Sequence, residues 1–301
     1  LLLLPAAAKL SPAYSKTASA ALDALTVTRS TDGTWSAAYD CGFAAPETFP
    51  QNKLVWADEF DGDTLDTSRW NIETYTYDSY WLLGMQEYLE ENVSVGDGVL
   101  TLNAFIPSHG IDWHKGEQNA TSGCISTRDI FATTGGRIEM RARCDVGEYL
   151  WPGAWMLPQD WEDEWPLGGE LDLWYCYTER PTALLQCIQF SNQTWESLSN
   201  DYRATYTTGT VADWHTYAVE WTMGGIRWYV DGVLTFGASS WTADEGKNPA
   251  PFDKPFYLGL SLTLSNDLLS FEDEDSAEPD IHTEGDMRMQ VDYVRIYQMG
   301  T

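Results

Sequence analysis

The segment 168-GGELDLWYCYTE-179 starts as a strand that carries acids on one face and then turns aromatic. In a strand, side chains at i and i+2 share a face about 6–7 Å apart. Glu170 and Asp172 therefore point the same way, with Leu171 opposed to them. Strict alternation brings Trp174 to that face next, whereas a bulge brings Tyr175. Paired carboxylates on one strand face are the raw material of acid–base chemistry, and the residue that follows them decides what chemistry is possible.

Around this segment the chain has a strand-rich texture. Short alternating or β-branched and aromatic runs recur from Leu54 onward: 98-GVLTLNAF-105, 136-GRIEMRARCDV-146, 215-HTYAVEWT-222, 226-IRWYVDGVLTF-236, 256-FYLGLSL-262 and 287-MRMQVDYVRIYQ-298. Many strands with no long helix between them predict an all-β sandwich of antiparallel sheets. Asp231-Gly232, between two apolar runs, predicts a hairpin because both residues accept positive φ. Residues 1–52 are rich in Ala, Ser and Thr and read as an N-terminal extension, with a helical pattern near 16–25 and a strand near 34–43. The remainder, 53–301, reads as one domain.

The 17 basic and 46 acidic residues leave a formal charge of −29, which repels nucleic acid and anionic lipid. A neutral ligand is favoured, and 15 Trp, 16 Tyr and 10 Phe supply flat faces on which sugars stack as well as material for the core. The opening LLLLPAAAKL resembles the end of a signal peptide, and four leucines are too few to span a bilayer. With sequons at Asn92, Asn119 and Asn192, this predicts a secreted or extracytosolic chain without membrane insertion. Five cysteines lack any CxxC pairing, which argues against zinc and leaves at least one thiol without an intrachain partner. The run 272-EDEDSAEPD-280 reads as a solvated loop.

Taken in order, 54-LVWADEFDGDTLDTSRW-70, 122-SGCISTRDIFATTGGRIEMRAR-143, 150-LWPGAWMLP-158, 165-WPLGGELD-172, 213-DWHTYAVEWT-222, 226-IRWYVDG-232, 255-PFYLGLSL-262 and 291-VDYVRIYQ-298 resemble glycoside hydrolase family 16, in its laminarinase-like β-1,3-glucanase group. The resemblance implies a concanavalin A-like β-jelly roll of two curved antiparallel sheets with a concave glycan cleft. It also implies retaining hydrolysis, with Glu170 at the nucleophile position and Asp172 between nucleophile and general acid. The family's last acid follows as E-x-D-x-E or E-x-D-x-x-E, and this chain has Trp174 or Tyr175 there. Indole has no useful proton to donate, and a phenol with a pKa near 10 is a poor acid for a glycoside.

Other cleft positions depart together. In 81-WLLGMQEY-88, Leu82, Leu83 and Gly84 stand where the family places polar sugar-binding groups, Cys124 replaces an Arg, and Gln189 replaces a His. The resemblance makes Trp151, Trp155, Trp165 and Gln189 candidate substrate-binding residues, with Trp155, inside 154-AWML-157, the one expected to be buried. It implies a structural calcium ion held by Asp292, with backbone carbonyls near Glu59 and Gly98.

Three readings follow. The first is a catalytically impaired descendant that binds β-glucan or another neutral polysaccharide, or serves as an assembly module. The second is an active endo-β-1,3-glucanase with a displaced acid, drawn from Glu179, Glu148, Glu162 or Glu164. The third is a protein–protein scaffold with no glycan affinity, its contacts made through the N-terminal extension and the acidic loop. An open cleft with exposed Trp faces would favour the first, and a cleft plugged by Leu82, Leu83 and Tyr175 would favour the third.

Overall fold

The computed structural model describes residues 25–29, 35–39, 53–74, 86–107, 120–160, 165–191, 197–206, 208–238, 241, 250–264 and 285–298. They form two large sheets and one hairpin. The seven-stranded sheet runs Ser197–Thr205, Ala183–Ser191, Glu170–Tyr175, Leu150–Pro158, Phe256–Leu264, Cys124–Ser126 and Asn71–Ile72. The ten-stranded sheet is centred on Gly136–Cys144, Gly285–Gln298 and Val99–Ile106. The sandwich and the six strand runs expected from the sequence are all present. Leu25–Arg29 and Trp35–Tyr39 form a separate antiparallel pair, so the strand expected near 34–43 is present as well. The helical pattern near 16–25 lies outside the described residues, apart from Leu25, which opens a strand. Among the described residues no helix is long and apolar enough to cross a membrane.

Period-two burial builds the core. Gly136–Cys144 alternates buried and half-buried residues, and its Ile138, Met140, Ala142 and Cys144 face inward. Val99–Ile106 does the same with Leu100, Leu102, Ala104 and Ile106. From the seven-stranded sheet, Leu150, Ala154, Met156, Leu258, Leu260 and Leu262 meet them. Asp231 (φ 51°) and Gly232 (φ 76°) both take positive φ between Gly225–Val230 and Val233–Ala238, as a two-residue hairpin turn requires.

One sequence expectation is corrected by packing. The Asn92 side chain is only 5% exposed, and its Nδ2 donates to the Asn103 carbonyl at 2.9 Å, so this sequon has no room for a glycan in the folded chain. Asn119 and Asn192 lie outside the described residues.

The strands of the seven-stranded sheet are buried on both faces. Glu170–Tyr175 has six buried residues in a row, and Phe256–Leu264 has nine. The inward face belongs to the main core. The outward face carries a second cluster of Trp151, Trp155, Tyr175, Leu185 and Tyr257, joined by Tyr88 and Cys124. That second face holds the acids.

Candidate functional site

A bulge on Glu170–Tyr175 sets the site. Asp172 pairs with Cys187, but the next paired residue, Tyr175, lies opposite Leu185. Three steps on one strand therefore match two on the other, and the extra residue inverts the alternation. On the other side, Asp172 faces Trp155 and Tyr175 faces Gly153. As a result Leu173 and Trp174 both enter the main core, while Tyr175 joins Glu170 and Asp172 on the outward face. Of the two residues the sequence left open, Trp174 is a core residue: its ring stacks on Tyr217 with centroids 4.3 Å apart and planes 8° apart.

Glu170 is held in place. Its Oε2 accepts from Trp165 Nε1 at 2.8 Å and from Gln189 Nε2 at 3.3 Å. Gln189 Nε2 also reaches Asp172 Oδ2 at 3.2 Å, and the Cys187 thiol donates to the same oxygen at 2.8 Å. The structure thus brings Glu170, Asp172, Trp165 and Gln189 together. Cys187 was not singled out by sequence, although its i−2 relation to Gln189 on a facing strand could have found it.

Burial pushes the Asp172 carboxyl well above the usual carboxylate range, and the nearby Glu170 adds to the rise. The thiol and amide donors act against it. A carboxyl whose folded pKa exceeds its unfolded value contributes stability below about pH 4 that is lost as pH rises through the folded pKa. We expect Asp172→Asn, which keeps an acceptor for Cys187 and Gln189, to raise the melting temperature at pH 7. The gain should shrink as melts are repeated towards pH 4, and a gain independent of pH would show that ionisation of Asp172 is not the cause.

The aromatic floor is laid over glycines. A Cβ on Gly153 would overlap the Tyr175 ring, and one on Gly259 would overlap the Trp155 ring. Trp151 lies between Tyr175 and Tyr177, with centroids 5.2 and 4.9 Å away. Trp155 Nε1 donates to Ser261 Oγ at 3.1 Å, and its ring meets the edge of Tyr257. Trp151 is 2% exposed and Trp155 6%, so Trp155 is buried as expected and Trp151 is buried as well. Leu82, Leu83 and Gly84 lie outside the described residues.

The residues expected to hold calcium lie on the opposite sheet. Asp292 is the bulged residue of Gly285–Gln298, and its Oδ2 accepts from Arg141 Nη1 at 2.6 Å. Glu59 takes a two-pronged contact from Arg295 at 2.8 and 2.7 Å. Gly98 turns the chain with φ 74°. The Asp292 carboxylate, the expected side-chain ligand, thus meets a guanidinium as placed, while the companions expected near Glu59 and Gly98 are backbone carbonyls rather than side chains. Among the described residues no group of three or more His, Cys, Asp or Glu side chains could hold a metal ion.

The sequence model described as "Glycosyl hydrolases family 16" matches residues 90–294. A glucan endo-1,3-beta-glucosidase A1 of Niallia circulans is 34% identical over 263 residues, covering 81% of this chain and 38% of that protein. A beta-1,3-glucan-binding protein of Penaeus monodon is 29% identical over 234 residues, covering 60% of this chain and 63% of that one. Among solved structures, the catalytic domain of an endo-1,3-beta-glucanase (laminarinase) from Thermotoga petrophila RKU-1 superposes with a TM-score of 0.69 at 26% identity. That match covers 83% of this chain and 99% of the domain.

Proposed function

The chain belongs to glycosyl hydrolases family 16, and from that membership we propose that it is a glucanase fold in which hydrolysis has been lost, kept as a module that binds β-glucan or joins an assembly. The observation that carries this reading is Tyr175 at the strand position where the bulge returns the chain to the acid-bearing face. Retaining hydrolysis needs a second carboxyl about 5–5.5 Å from the nucleophile, across the scissile bond. Burial pushes the Tyr175 phenol well above its usual range, and Asp172 and Glu170 push it further. It is therefore a weaker proton donor than free tyrosine.

The displaced acids are badly placed. The ladder beyond Tyr175 continues, with Cys176 N donating to Pro152 O and Thr178 N to Leu150 O. The strand itself ends at Tyr175, and Glu179 lies in the turn that follows, where Arg180 N donates to Tyr177 O. Glu148 precedes Leu150 at the same end, and the Tyr149 amide donates to Glu179 Oε1. Glu162 and Glu164 lie outside the described residues.

Purified protein incubated with soluble β-1,3-glucan between pH 4 and 7 is expected to release no more reducing ends than its Glu170→Gln variant. Release by wild type that vanishes in Glu170→Gln would sink the reading. Penaeus beta-1,3-glucan-binding protein, by its name, offers a precedent for glucan recognition on a related sequence. Trp151, Tyr175 and Tyr257 are 2%, 1% and 4% exposed, so as placed their faces are covered and do not favour the binding branch over assembly.

A further inference from the structure

Two cysteines, one from each sheet, enter the main core. Cys144 ends the inward row of Gly136–Cys144 in the ten-stranded sheet, and Cys176 follows Tyr175 on the inward side of the seven-stranded one. Each is 1% exposed. They flank one crossing of the chain. Cys144 N donates to Val211 O at 2.8 Å and Val211 N to Pro181 O at 2.8 Å, while the Cys176 thiol donates towards Tyr177 O and Arg180 O at 3.5 and 3.8 Å. The Tyr206 hydroxyl bonds to Cys176 and accepts from the Tyr217 hydroxyl at 3.0 Å. Burial first, then Tyr217, Cys176 and Cys144, push the Tyr206 phenol well above its usual range, so both sulfurs lie near one hydroxyl.

The thiols of Cys124, Cys144, Cys176 and Cys187 are all reduced here. Sheet order excludes the other pairings among these four. Cys124 and Cys187 lie on strands of the seven-stranded sheet that are four spacings, roughly 19 Å, apart, whereas a disulfide needs Cα atoms within about 7 Å. Cys124 belongs to the outward cluster, and the Cys187 thiol donates to Asp172 on that same face. Both therefore point away from Cys144 and Cys176.

We propose that Cys144 and Cys176 are joined by a disulfide across the core when the chain folds in the presence of a disulfide donor, as inter-sheet bridges join other sandwiches. One cysteine attacks the donor, whose sulfur–sulfur bond breaks and releases one thiol. The other attacks the mixed disulfide and releases the second, so the chain loses two electrons and two protons and the donor is reduced to two thiols. Burial pushes the Cys144 thiol well above the usual range and Cys176 up to about 12, so neither reacts once the core has closed, and the bond forms as the sheets dock. The loop it closes, residues 144–176, contains Trp151, Trp155, Trp165, Glu170, Asp172 and Tyr175. The bridge thus staples the acid-bearing strands to the sheet behind them, whether or not that face hydrolyses glucan.

The test refolds the reduced, unfolded full chain in oxidised and reduced glutathione, alkylates the remaining thiols in denaturant and identifies peptides by mass spectrometry. No Lys or Arg lies between the two cysteines, so cleavage after glutamate is used to separate them. The expected product links 140-MRARCDVGE-148 to 171-LDLWYCYTE-179, with Cys124 and Cys187 alkylated. It is expected to melt about 5–15 °C above the chain refolded with reduced glutathione alone. That difference should vanish in Cys144→Ser and in Cys176→Ser. Alkylation of both Cys144 and Cys176 in the refolded wild type would overturn the proposal, and so would a bond from either to Cys41. The peptide map is read on wild type, so a serine variant that fails to fold does not weaken the test.

Discussion

Tyr175→Glu is expected to raise hydrolysis of soluble β-1,3-glucan by roughly 10²–10⁴-fold over wild type, the range that general acid catalysis supplies. The bulge that turns residue 175 onto the acid-bearing face is already present, so a carboxyl placed there shares that face with Glu170. Glu170 is oriented by Trp165 and Gln189, as a nucleophile must be. A glutamate at the buried site of Tyr175 would be desolvated and next to like charge, and both effects raise its pKa towards the range where it can donate. The smaller side chain also leaves volume over Gly153 for the water that completes the reaction. Leu82, Leu83 and Gln189, where the resemblance implies other polar groups, pull the expected gain towards the lower end. Reducing ends measured from pH 4 to 7 should rise, and Tyr175→Glu combined with Glu170→Gln should abolish the rise. A folded Tyr175→Glu protein with no gain would mean that the acid is not what this cleft lacks.

The neighbouring residue carries the other large effect, on stability. Trp174→Ala is expected to cost about 3–5 kcal/mol, read as a lower denaturant midpoint with little change in slope. The indole is fully buried, stacks on Tyr217, and directs Nε1 to Met140 Sδ at 3.3 Å. Removing it opens a hole between the two sheets, in a core too densely packed to close over it. A midpoint that barely moves would put Trp174 outside the core and with it the bulge in a different place. Two adjacent substitutions thus test one backbone feature from opposite sides.

Much of the fold was legible in the sequence because each strand alternates with a period that the core enforces. Leu100, Leu102, Ala104 and Ile106 could be assigned to one face before any coordinates. The Asp231-Gly232 turn was legible because its backbone conformation restricts the residues that can adopt it. Trp174 against Tyr175 was not. Both are large aromatics suited to either face, and the choice depends on an extra residue relative to Cys187 and Leu185 on the facing strand, which pairs from about ten residues away in the chain. The Arg141–Asp292 contact was equally invisible, since it joins residues 151 positions apart. In the sequence Asp292 is simply an acid on a strand, open to a cation or an arginine alike.

The Tyr175 ring resting on bare backbone at Gly153 couples what the two positions can hold. With tyrosine at 175, any side chain at 153 collides with the ring; with a smaller residue at 175, position 153 is released. The two sites are therefore epistatic, and their effects on stability will not add. Glycine at 153 is thus a condition for tyrosine at 175, and Tyr175→Glu asks for no change at 153.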